Sequence, residues 1–262
     1  MFGSSITDLE GARLTGDSSV RSVARALDLL NLFDHHRPFL TLREIVERSE
    51  LPKTTVVRLL ANLQARALVS VRADGTYTLG AAMLRWVRMA AALWEVNEPT
   101  IASMRRLVDT CGETVNVYVR QDTSRMSIAQ QEGIHTVRNV VEVGSPMPLW
   151  GGSAAKVLLT GAPQVIDELE LLNPNLDTAR LHAEVARARD AGYAVSHGER
   201  EDGASAVSAP IVAADGRVLA ALCISGPSSR LTGDRLDLAI REAVETAKEI
   251  SGFGLGSVEE LL

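Results

Sequence analysis

The first eighty residues carry two hydrophobic periods. From Ser18 to Phe33 apolar residues recur at helical spacing, through Val20, Val23, Ala24, Leu27, Leu30 and Leu32, until Arg37-Pro38 ends the run. Thr41-Leu42-Arg43-Glu44 is a capping-box pattern, in which threonine and glutamate side chains each satisfy the other's backbone amide. A short helix is predicted from there to about Arg48. A tight turn at Ser49-Glu50-Leu51 leads to Pro52, which suits a first helical turn because its missing N–H has no partner to lose there. The third helix is predicted over Pro52 to Ala65, with Val56, Leu59, Leu60 and Leu63 as its buried stripe. The period then falls to two in Leu68–Arg72 and Thr76–Leu79, on either side of Asp74-Gly75, which predicts a β-hairpin.

Further along, Ala81 to Val96 reads as a helix with Met83, Leu84, Val87, Ala91 and Trp94 on one apolar side. It packs either on its own domain or, as a linker helix, against a second protomer. Pro99 marks the start of another domain. A helix over Ile101–Cys111 ends at Gly112. Strand-like runs follow at Thr114–Arg120, Arg125–Gln131 and Val137–Val143, and Pro146-Met147-Pro148 reads as a break in the sheet. Helices are predicted at Ser153–Thr160, Val165–Leu172 and Ala179–Ala191. Strands are predicted at Tyr193–Ser196, Ala204–Val212 and Val218–Ser225, and a last helix over Arg235 to Ser251. The expected class is α+β, divided into a flexible tail (1–17), a winged helix-turn-helix (18–80), a linker helix (81–97) and a mixed α/β sensor domain (98–255).

Composition narrows the function. Aromatics make up 4% of the chain, so the cores must rest on aliphatic side chains. Two cysteines allow one disulfide at most, and a reduced, cytoplasmic setting is the simpler expectation. No apolar run approaches the length of a membrane span, and the N-terminus lacks the layout of a secretory leader. The net charge of −6 argues against a surface coated throughout for nucleic acid. Yet from Leu51 to Ala73 the only charged residues are Lys53, Arg58, Arg66 and Arg72. Phosphate attraction acts within about 8–10 Å, so a local basic stretch is enough. Two short helices joined by a turn, the second opening on Lys-Thr-Thr, form the pattern of a DNA recognition helix. Lys53, Thr54 and Thr55 suit phosphates, Arg58 suits a base edge or phosphate, and Arg72 sits on the wing. Arg21 and Thr41, near the starts of the two preceding helices, complete the candidate DNA contacts. A helix-turn-helix also serves as a packing module, but the ordered set of elements is more specific than any one of them.

Catalytic patterns are missing from the sequence. The five histidines form no HExxH and there is no CxxC, so neither a metal site nor a cofactor is expected. Gly-Gly-Ser-Ala-Ala around Ser153 lacks the second glycine of a nucleophile elbow. His197 with Glu199, Glu201 and Asp202 reads as a solvated acidic loop. The expectation is a non-enzyme. Trp150-Gly151-Gly152-Ser153-Ala154-Ala155-Lys156 has two readings. Small residues at a helix start expose amides that suit a carboxylate, or they form a glycine turn with a serine cap, packed closely.

The residues Ser22-Val23-Ala24-Arg25-Ala26-Leu27-Asp28-Leu29-Leu30, Leu51-Pro52-Lys53-Thr54-Thr55-Val56-Val57-Arg58-Leu59-Leu60 and Tyr77-Thr78-Leu79-Gly80 resemble the IclR family of bacterial regulators. So do Gly192-Tyr193-Ala194-Val195, Ala209-Pro210-Ile211 and Ile224-Ser225-Gly226-Pro227. The resemblance spans about residues 20 to 252. It departs at Ala67, where the family usually has glycine. It implies a winged helix-turn-helix, a linker helix and a GAF-like α/β effector domain. It also implies dimers or dimers of dimers on palindromic double-stranded operators, and repression or activation of small-molecule catabolic genes; repression is the expectation for this chain. A small organic acid is expected to be the effector. By the resemblance it contacts Ser153, Ala154, Ser196, Ala206, Cys223 and Ser225. Val137, Leu149 and Trp150 are candidates for the apolar wall, and the Trp150 face suits an aromatic acid. A sensor acting only through protein partners is the alternative.

Overall fold

A computed structural model describes residues 18–262, and the reading of 1–17 as a tail lies outside them. The chain divides into two compact units, Met1–Ala92 and Leu93–Leu262.

The first unit holds α1 (Ser18–Leu30), α2 (Leu42–Ser49) and α3 (Lys53–Ala65), then the hairpin β1 (Val69–Val71) and β2 (Tyr77–Leu79). Both halves of the α2 capping box are formed: Thr41 accepts from the Glu44 amide, and Glu44 accepts from the Thr41 amide at 2.7 Å. Pro52 stands at the N-cap of α3 in an extended conformation. All four residues of the predicted α3 stripe are buried, against Leu29, Leu40, Ile45 and Val69. Each such side chain contributes about 1.5–3 kcal/mol through burial. The stripe expected for α1 is corrected. Between Arg21 and Leu30 the buried residue is Leu29, flanked by half-buried Ala26 and Leu30, whereas Val23 and Leu27 face outward. The helix has two apolar stripes, and only one packs on the helix-turn-helix core.

Next comes α4 (Met83–Trp94), in which no residue is buried. Its Leu84, Trp86, Val87, Met89 and Leu93 are all exposed.

The second unit is built on one six-stranded sheet in the order β5-β4-β3-β8-β7-β6, with every neighbouring pair antiparallel. The strands are β3 (Thr114–Gln121), β4 (Ser124–Gln131), β5 (Pro146–Pro148), β6 (Ala194–His197), β7 (Ala204–Val212) and β8 (Val218–Pro227). Helices α5 (Glu98–Cys111) and α9 (Gly233–Phe253) cover one face. That core contains Val115, Val117, Val207, Leu222 and Ile224. Helix α6 (Ser153–Thr160) covers part of the other face, backed by α8 (Thr178–Ala191) and, behind it, α7 (Val165–Leu172). A 3-10 turn (Ser257–Leu261) closes the chain.

Two sequence expectations fail on the outer edge of the sheet. Val137–Val143 is not a strand, and Pro146–Pro148 does not break the sheet but forms β5. The edge position beside β4 goes to β5, with Arg125 opposite Met147. Prolines are tolerated there because an edge strand has one free side. The alternating valines of 137–143 find nothing to pair with: Val137, Val140 and Val143 are exposed, and the Val141 amide donates to the Gln130 side chain at 2.8 Å.

Candidate functional site

In the first unit, the side chains expected at DNA lie on the outer side of α3. Lys53, Thr54 and Arg58 are exposed and Thr55 is half-buried, while Val56, Leu59 and Leu60 turn inward. Among the described residues, no carboxylate lies within ion-pair distance of Lys53 or Arg58. Their charge is therefore unspent. Arg21 is exposed on α1. Arg72 stands on the hairpin but is partly engaged, pairing with Asp74 at 2.8 Å and stacking 4.2 Å from the Phe39 ring centroid. The Thr41 hydroxyl donates to Glu44 at 2.7 Å and accepts from its amide at 3.2 Å, so its capacity goes to the helix cap.

In the second unit, the start of α6 opens onto a small cleft. Five expected effector residues line it: Ser153 and Ala154 from α6, Ser196 from β6, Ala206 from β7 and Cys223 from β8. The strand registers bring them together, because Ser196 pairs with Ala206, Ala206 with Ser225 and Ser208 with Cys223, all on one face. Ser153 shares a 2.8 Å hydrogen bond with Ser208 across this floor. Burial pushes the Cys223 thiol pKa up, so it is a small neutral side chain.

The other four expected residues do not line the cleft. Leu149 is fully buried in the core beneath α6, and Val137 is 70% exposed. Trp150 lines a separate depression with Leu176, Asp177 and Arg180. Ser225 lies one step beyond Cys223 on the same face, buried, with no hydrogen-bond partner for its hydroxyl.

Sequence reasoning missed the charged part of the cleft. Arg125 of β4 lines it, although the residue is 4% exposed. Its Nη1 donates to the carbonyl oxygens of Pro148 and Gly151, the latter at 2.7 Å. Among the described residues its Nε has no hydrogen-bond partner, and no carboxylate pairs with it. Its guanidinium lies 5.8 Å from the centroid of Tyr118. Burial lowers its pKa to about 10, which still leaves it cationic at neutral pH. Beside it, Gly152 has φ 92° and passes so close that an added Cβ would lie 3.2 Å from Arg125 Nη2. Only glycine meets both demands there. The signal in the sequence was the side that Arg125 shares with Ser127, opposite the apolar Met126.

The acidic-loop reading is also corrected. Glu199 is not simply solvated: its Oε2 accepts from the Gly152 amide at 2.8 Å, and its Oε1 meets Lys156 Nζ at 2.5 Å. Lys156 is itself buried and pairs with Glu184 at 3.0 Å. Tyr118, Asn139, Ala204, Ser205 and Arg200, which pairs with Glu201 at 3.2 Å, also line the cleft.

A helix-turn-helix whose α3 exposes basic side chains, in one unit, and a polar cleft at a helix start, in the other, are the features of a ligand-sensing, DNA-binding protein. The comparisons with known proteins agree. Residues 22–72 match the IclR helix-turn-helix domain, and residues 91–252 match the C-terminal domain of the bacterial transcriptional regulator IclR. The chain belongs to the IclR family of bacterial transcriptional regulators. It is similar to the transcriptional repressor AllR of Salmonella typhi, at 30% identity over 92% of each chain. An IclR-family regulator from Rhodococcus sp. shares 45% identity over 94% of this chain and 98% of its own, with a TM-score of 0.63. An IclR homolog from Microbacterium hydrocarbonoxydans, solved with 4-hydroxybenzoate, shares the fold at 23% identity and a TM-score of 0.70, over 91% of this chain and 99% of its own. Members of this family bind DNA and small-molecule effectors, and they are regulators rather than enzymes. No helix among the described residues is long and apolar enough to cross a membrane.

Proposed function

We propose that this regulator senses a small organic acid in the cleft at the start of α6 and represses catabolic genes from a palindromic operator in the cytoplasm. The observation that carries the acid is Arg125, a buried guanidinium that faces the cleft without a carboxylate partner. An isolated buried charge is costly, and an incoming anion would relieve it. The first amides of α6 add partial positive charge at the same place. Ser196, Ala206 and Cys223 would then set the shape of the floor, with Ser225 beyond them. The 4-hydroxybenzoate bound by the Microbacterium homolog supports an aromatic acid as a candidate.

On DNA, Lys53, Thr54 and Thr55 at the start of α3 would meet phosphates while Arg58 reaches a base edge. Arg21 and Arg72 would add backbone contacts on either side, and Thr41 would hold α2 in place. Two copies joined through the exposed apolar side of α4 would present two recognition helices to a two-fold operator. The effector acts only as far as it binds the two states of the protein unequally.

Fluorescence anisotropy of the full chain on DNA from its own upstream region, across a salt series, tests this reading. Tight, sequence-selective binding that weakens with salt and is released by an aromatic carboxylate is the expected result. Equal weak binding to scrambled DNA, or release by no carboxylate, would overturn it.

A further inference from the structure

The cleft already contains a carboxylate, and it belongs to the protein. Glu199 reaches from the loop after β6 to the Gly152 amide at 2.8 Å, at the N-cap of α6, and to Lys156 at 2.5 Å. These are the groups that would serve an effector carboxylate arriving beside Arg125. The Arg125 side chain comes within 3.2 Å of the Cβ position of Gly152, so the guanidinium and the Gly152 amide are found at the same residue. Glu199, however, is not paired with Arg125; it lies on the Lys156 side and leaves the Arg125 Nε unsatisfied. An effector carboxylate seated on Arg125 would therefore lie next to a second negative charge, and like charges repel.

We infer that Glu199 is a built-in competitor of the effector carboxylate for the Gly152 amide and so sets the affinity threshold of the sensor. Effector entry displaces the Glu199 carboxylate from Gly152. The loop that carries it lies between Gly198 and Gly203, both at positive φ, and meets the start of α6 through the Gly152 amide and Lys156. Lys156 keeps Glu184 as its partner when Glu199 leaves, so the buried ammonium is never stranded. This inference rests on reading the cleft as a carboxylate site.

The test follows the amide signal of Gly152 by NMR in the full chain during titration with benzoate, with neutral benzamide as control. Wild type is compared with Glu199→Gln, Glu199→Ala and Arg125→Gln, each first checked for an unchanged thermal midpoint against wild type. Glu199→Gln removes the charge and keeps an acceptor, whereas Glu199→Ala removes both. Benzoate should bind at least about tenfold tighter to Glu199→Ala than to wild type, with Glu199→Gln between them and benzamide indifferent to the change. Equal benzoate affinity in wild type and both Glu199 variants overturns the inference. If benzoate is then still lost in Arg125→Gln, the carboxylate reading survives and only the competitor role falls. If Arg125→Gln binds benzoate like wild type, or no form binds it, the carboxylate reading falls and takes this inference with it.

Discussion

Gly80 lies directly against the backbone of Ala67: a Cβ added at Gly80 would stand 2.1 Å from the Ala67 carbonyl oxygen. The same carbonyl accepts from the Ala82 amide at 3.0 Å, and the Gly80 amide donates to Leu68 at 2.8 Å. The turn from α3 into the hairpin is thus clamped to the chain that leaves the hairpin. Ala67 occupies it at φ 54°, in the left-handed region. Ala67→Gly should stabilise the first unit by about 0.5–1 kcal/mol, since the native backbone conformation there costs alanine about 1 kcal/mol or more. Gly80→Ala should destabilise it by several times as much, because backbone atoms cannot move aside. Thermal unfolding of both variants checks the pair, and equal midpoints for all three proteins would refute the clamp.

Arg58→Ala should weaken operator binding by about 1–3 kcal/mol while leaving effector binding unchanged. Arg58 is exposed and has no ion-pair partner among the described residues, so its removal disturbs no internal contact. Anisotropy titrations at fixed salt measure the loss. Normal operator affinity in this variant would exclude α3 as the reading helix.

Ser153→Trp should abolish effector binding with operator binding retained. Ser153 is 1% exposed and lines the cleft where its hydroxyl meets Ser208. An indole there fills the space in front of the α6 amides. Calorimetry with a bound carboxylate reads the loss, and an unchanged isotherm would move the site elsewhere.

Much of this was legible from residue patterns, and the misses have physical causes. The α3 stripe, the α2 cap and the bounds of α6, α7 and β7 follow from local periodicity and turn chemistry, which the chain expresses within a few residues. The α1 register was misread because two apolar stripes compete on one helix and only tertiary packing selects Leu29 over Val23 and Leu27. Arg125 was missed and Glu199 was read as solvated because a charged residue on an alternating strand, or in an acidic loop, ordinarily meets solvent. What buries Arg125 is the approach of Gly151 and Pro148, some twenty residues away in the chain. Tyr118 joined the cleft only through sheet pairing.

Acid should loosen the second unit through Glu184. Burial pushes its carboxyl pKa up, but the hydrogen bonds from Arg180 and Lys156 outweigh that, and the net shift is below the ordinary 4.5. A folded-state pKa lowered in this way contributes stability that is complete above about pH 4.5 and lost as pH falls through the depressed value. Urea midpoints of wild type and Glu184→Gln should differ at neutral pH and converge in acid. A gap that stays constant down to pH 3 would rule out this contribution.

Val87→Glu should lower the oligomeric state. Val87 is 60% exposed on a helix with no buried residue, and a carboxylate in an apolar contact between copies would be desolvated without a partner. Sedimentation velocity of the full chain reads the outcome. If the mass is unaffected, α4 is not the contact.

The six-stranded sheet divides its two faces between separate tasks. Val195, Val207 and Leu222 pack toward α5 and α9, while their neighbours Ser196, Ala206 and Cys223 line the cleft. Along each strand, successive positions therefore answer to different selective demands. A gene duplicate could exchange the cleft residues one at a time and acquire a new chemical vocabulary, while the alternate positions keep the domain folded. With the cleft as the proposed effector site, alternation along a strand gives the sensor evolutionary freedom: what it recognises can drift without endangering the protein that does the recognising.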